Sequence, residues 1–167
     1  MIKKIFFLIM LCSNATYNFA LLCQRQQRPM LPTVASSTTC HSLGLSALKY
    51  TNQFRSQHRF SVLTWNQELA NRARIHSMDM GLKKVEFGHD GFDERVANLR
   101  LPKQLQAAAE NVYMSNMRGD VAKAAVDGWI DSPSHLQNMV GKFTHCGIGV
   151  YQNKEGFWYF TQIFARL

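Results

Sequence analysis

Residues 157–164 read FWYFTQIF, and this stretch decides the fold. Neighbouring side chains on a strand point to opposite faces, and here both faces come out apolar. A strand that buries both faces needs cover above and below. A second strand, Thr144 to Tyr151, runs just ahead of it, joined through the turn Asn153-Lys154-Glu155-Gly156. The segments before these strands carry helical periodicity, which implies a sheet sandwiched between helical layers.

Folded periodicity begins near Leu43. Leu43, Ala47, Tyr50 and Phe54 recur at three- and four-residue spacing on one face of a first helix. Thr64 with Gln67 three residues on reads as a capping box. The helix it opens carries Leu69, Ala73, His76 and Met80 on one stripe and ends near Gly81. Gly88 and Gly91 mark a loop around His89, and Phe92 with Val96 predicts a short helix. A brief alanine run then leads into a strand over Glu110 to Met114. Asp120 caps a helix running to Ile130. Ser132-Pro133 opens another, with proline at its first position. Trp129, Trp158, Phe160 and Phe164 are expected in the core.

The chain has 167 residues, 46% hydrophobic and 18% charged, enough to bury one core and too apolar for wholesale disorder. Lys3 and Lys4 followed by the apolar run Ile5 to Leu11 read as an export signal, residues 1–20, with cleavage after Ala15 or Ala20. Residues 21–42 read as a linker, broken by Pro29 and Pro32 and ending in small polar residues. The protein is therefore expected to be secreted or periplasmic. No apolar run reaches the roughly 20 residues of a membrane-spanning helix, so it is not read as an integral membrane protein. The formal charge is +8, falling to +6 once Lys3 and Lys4 leave with the signal. Because the bases are scattered, with no run longer than Lys83-Lys84, nucleic acid is not an expected partner.

An oxidising compartment permits disulfides, and Cys23 with Cys40 form a local candidate pair. Cys146 reads as a small buried hydrophobe. Its neighbour His145 points to the opposite face of the same strand, so the two do not form a Cys-His pair. No CxxC, HExxH or GxSxG spacing occurs. The chemistry-bearing candidates are His89, Glu110 and His135, too far apart in sequence for a short metal motif. Alone, each has an ordinary reading: a loop histidine, a solvated acid, a helix-start residue. His135 falls in the first turn after Ser132-Pro133, where the helix dipole favours the neutral imidazole.

The segments LTWNQELANRARIHSMDM (63–80), FGHDGF (87–92), AENVY (109–113), VDGWIDSPSHLQNMV (126–140), FTHCGIGV (143–150) and WYFTQIFA (158–165) occur together and in this order. In that, the chain resembles the CAP superfamily of cysteine-rich secretory, antigen 5 and pathogenesis-related proteins, in its short SCP-like extracellular form, over residues 43–167. The resemblance implies an α+β fold, a three-layer α-β-α sandwich with a central, mostly antiparallel sheet and an open cleft. His89 in FGH and His135 in SPSH match the two cleft histidines of the family, and Glu110 in AEN one of its acids. Together they are expected to hold zinc or another divalent metal weakly. Longer members carry a second glutamate three residues after the helix tryptophan. Here Ser132 stands at that position, with Asp131 one residue earlier and about 100° around the helix.

The expected function is that of a monomeric binding module taking lipid or sterol, cell-wall material or a partner protein. The alternative is a metal-assisted, peptidase-like hydrolase with zinc on His89 and His135 and Glu110 as general base.

Overall fold

The structure, a computed structural model, describes residues 34–97, 99–101 and 103–167. The elements run α1 (Ser37–Gln57), β1 (Thr64–Trp65), α2 (Gln67–Gly81), α3 (Phe92–Ala97), β2 (Ala107–Ser115), α4 (Val121–Asp131), α5 (Pro133–Met139), β3 (His145–Gln152) and β4 (Trp158–Arg166). Both the segment read as an export signal and Cys23 lie outside the described residues.

The strands form one mixed sheet in the order β1-β3-β4-β2. β4 is antiparallel to both neighbours, and only the two-residue β1 runs parallel to β3. Every residue of β4 from Tyr159 to Ala165 is buried, as the doubly apolar 157–164 stretch requires. Phe160 and Phe164 face one way, into a core with Ala47, Leu48, Val126 and Trp129 of α1 and α4. Ile163 and Ala165 face the other way, against Leu69 and Ala73 of α2. This is the expected layered α+β architecture, with α2 on one face of the sheet and α1 and α4 on the other. Asn153 folds the β3–β4 turn by accepting from the Phe157 amide through its side chain at 2.9 Å. Gly156 closes it with φ +88°, a region glycine enters without strain.

Three boundaries differ from those expected. The folded domain begins earlier than Leu43, because Ser36 caps α1 by accepting from the Thr39 amide at 3.1 Å. The small polar residues assigned to the 21–42 linker thus form the first turn of α1, and Cys40 is a buried free thiol within it. Asn66 rather than Thr64 caps α2, accepting from the Leu69 amide at 3.0 Å. Thr64 pairs with β3 instead, its amide bonded to the Thr144 carbonyl at 3.0 Å. The alanine run 107–109 belongs to β2, because it pairs with Phe164 to Arg166 across the sheet.

Candidate functional site

β2 is an edge strand, and its alternation sends Glu110 toward the α2 side and Asn111 toward the α1 side of the sheet. Glu110 lies opposite Ile163, and Asn111 opposite Gln162. The loop before α3 brings His89 to Glu110, and α5 brings His135 to the same edge. His89 Nδ1 lies 3.0 Å from Glu110 Oε1. The imidazole rings of His89 and His135 lie 6.2 Å apart between centres. His89 therefore lies beside both of the other residues singled out in the sequence, Glu110 and His135.

A carboxylate only accepts, so His89 Nδ1 is the donor to Glu110, and the tautomer that makes this bond keeps its lone pair on Nε2. His89 is half exposed, whereas the Glu110 side chain is only 2% exposed. Burial of an ionised carboxylate demands a counter-charge, and Arg95 supplies it. Arg95 Nη2 donates to Glu110 Oε1 at 2.8 Å and Nε to Oε2 at 3.1 Å. The same guanidinium donates to the Asp90 carbonyl at 2.7 Å and the His89 carbonyl at 3.2 Å. One turn of helix, α3, thus ties the His89 loop to β2.

His76 steadies the other end of that loop. Its Nε2 donates to the Gly88 carbonyl at 2.8 Å from a buried position on α2. Burial holds the His76 pKa below the ordinary imidazole value, with the Gly88 hydrogen bond opposing. His135 is also shifted down, first by burial and then by the nearby His89.

An amide network fixes α5 against the sheet. Asn138 Nδ2 donates to the Glu110 carbonyl at 3.1 Å and to Asn111 Oδ1 at 2.8 Å. Asn111 Nδ2 donates to Gln162 Oε1 at 3.1 Å and to the His135 carbonyl at 3.3 Å. Gln162 passes the chain on to Thr51 of α1. Asp131 stands exposed at the end of α4. Among the described residues, no three His, Cys, Asp or Glu side chains converge as a ready-made metal cluster. A separate concavity of about 350 Å³, lined by Gly81, Leu82, Tyr151 and Asn153 among others, contains none of the three candidates.

Arg95, His76, Asn111 and Asn138 were not singled out in the sequence. AEN and FGH do place Asn111 and Arg95 beside recognisable motifs, but hydrogen-bond partners across the sheet have no sequence signature.

The family described as "CAP: Cysteine-rich secretory protein family" matches residues 48–164. The chain is 32% identical over 123 residues to YlbC of Bacillus subtilis, named an uncharacterized membrane protein. That match takes in 71% of this chain and 33% of YlbC, so the chain spans about a third of that relative's length. An extracellular protein containing a SCP domain from Bacillus anthracis is similar in structure, with TM-score 0.67 and 27% identity. The similarity covers 80% of this chain and 44% of that one. A cysteine-rich secretory protein from Staphylococcus aureus shares the fold at TM-score 0.58 and 20% identity, over 75% of this chain and 39% of that one. Among the described residues no helix is long and apolar enough to cross a membrane. The ordered motifs, the layered sheet and the match across 48–164 have one reading: this chain belongs to the CAP family of cysteine-rich secretory proteins.

Proposed function

We propose that this CAP domain is an extracellular binding module in which His89 and His135 offer ring nitrogens to a ligand, a divalent metal such as zinc included. The carrying observation is the bond from His89 Nδ1 to Glu110, which leaves His89 Nε2 open beside His135. Zinc–nitrogen contacts are about 2.0–2.1 Å, so rings 6.2 Å apart between centres can share one ion after small rotations. A carboxylate that holds the far nitrogen of a ligating histidine is a recurrent support for metal sites. Two neutral nitrogens leave further coordination positions for water, which suits an exchangeable ion.

Glu110 then acts through His89. Both its oxygens accept from Arg95 and its side chain is only 2% exposed, whereas a general base needs a lone pair that water can reach. That favours binding over the hydrolase alternative. Lipid or sterol, cell-wall material and partner proteins remain the ligand classes for the module as a whole, acting on a secreted monomer. The extracellular relative from Bacillus anthracis supports this setting.

Zinc titration by calorimetry, with a His89→Ala, His135→Ala double variant beside the wild type, tests the metal reading. Binding by the wild type that disappears in the double variant is the expected result. Equal titration curves for the two proteins would end the metal reading and turn the search to lipids, wall fragments and protein partners.

A further inference from the structure

Glu110 is a carboxylate already in use. Its side chain is almost wholly buried, and the Arg95 fork covers both oxygens from a position only 14% exposed. Guanidinium keeps its charge at any working pH and binds carboxylates in this two-pronged way more tightly than an ammonium does. Arg95 is not free to swing aside, because the carbonyls of His89 and Asp90 hold the rest of its guanidinium. A divalent cation and Arg95 would thus compete for the same two oxygens.

We propose that Arg95 is a built-in cation that withholds Glu110 from metal, keeping the histidine pair a weak, exchangeable site and making the fold independent of metal. This rests on the reading of His89 and His135 as metal-binding. With Arg95 in place, the buried negative charge is neutralised whether or not an ion is bound, and the open donors are two uncharged nitrogens. Without Arg95, the carboxylate lacks its partner, and an ion at the histidines becomes the available counter-charge. Removing a positive residue should then strengthen metal binding through a carboxylate that otherwise only holds the far nitrogen of His89.

The test compares the full chain as wild type, Arg95→Gln and Arg95→Gln with Glu110→Gln. It uses zinc calorimetry, cobalt(II) absorption spectra and melting temperature with and without zinc. Arg95→Gln is expected to melt lower than wild type without metal and to bind zinc about tenfold more tightly, a size typical of changes in a metal site's supporting shell. Its cobalt spectrum should differ from that of wild type, and zinc should raise its melting temperature more. Adding Glu110→Gln should abolish the gain.

A folded Arg95→Gln protein with unchanged or weaker zinc binding overturns the proposal while leaving the histidine site standing. So does a gain that survives Glu110→Gln, because the arginine would then act by repulsion alone. Zinc binding by Arg95→Gln but not by wild type supports the withholding role and removes metal from the native function. Absence of binding in both overturns the proposal and the metal reading together. Should Arg95→Gln fail to fold, Arg95→Lys carries the same comparison, because one ammonium cannot cover both oxygens in the geometry of the fork.

Discussion

At the scale of single residues, α2 comes close to β3 where side chains are missing. A methyl group added at Gly149 would lie 1.9 Å from the Arg74 amide nitrogen, and one at Gly147 2.1 Å from that of Ala70. Both neighbours are backbone atoms of α2, so no rotamer change relieves the contact. The two glycines of CGIGV let α2 lie directly on β3, while Cys146, Ile148 and Val150 fill the opposite face. Gly149→Ala is therefore expected to destabilise the protein by about 3 kcal/mol or more, read as a lower denaturant midpoint, whereas Gly88→Ala, with open space around it, should change little. The site residues divide in a similar way. His89, Glu110 and His135 could be named from their motifs, but no motif singles out Arg95, on a helix only six residues long. Its role follows from the buried carboxylate that it meets fifteen positions later.

At the scale of elements, caps were legible where the capping residue stands directly before a helical pattern. Asp120 accepts from the Lys123 amide at 2.9 Å and so starts α4 as expected. It also accepts from the Tyr50 hydroxyl of α1 at 2.5 Å, a contact between two helices that no local pattern announces. The Tyr50 bond is the leading cause holding the Asp120 carboxyl below its ordinary value, and it pushes the Tyr50 phenol up. Asp120→Ala is expected to cost about 1 kcal/mol through the lost cap, while Tyr50→Phe, which keeps the cap, should cost less. Thermal unfolding of the two variants checks that order. Thr64 was misread as a cap because Thr-x-x-Gln satisfies the local rule. The pairing of Thr64 with His145, its amide bonded to the Thr144 carbonyl, claimed its backbone, and the cap moved to Asn66.

At the scale of the whole molecule, acid should loosen the fold through buried His76 and half-buried His135. His76 is 3% exposed and donates to the Gly88 carbonyl. Burial is the main cause of its lowered pKa, joined by Arg95 and His89, and opposed by the Gly88 bond and by Glu110. With the folded value below the unfolded one of 6.5, the unfolded chain takes up protons first, so stability falls as pH drops through that window. His135 shifts the same way. The melting temperature is expected to decline from about pH 7 to about pH 5, and His76→Gln, less stable at the start, should decline less. A slope unchanged by His76→Gln would assign the acid sensitivity elsewhere. Cys146, its thiol pushed up to about 12 by complete burial, stays protonated and inert across this range.

The layered sheet was determined by the sequence itself, because a strand apolar on both faces has one stable setting, between two covering layers. Ordered motifs likewise determined the family and pointed to His89, Glu110 and His135 as candidates. Only the tertiary structure decided what those residues do to one another. Whether Glu110 faces an ion, a proton or an arginine depends on which side of an edge strand it occupies and what the neighbouring loop carries there. Contacts of that kind join residues far apart in the chain, and local spacing holds no record of them.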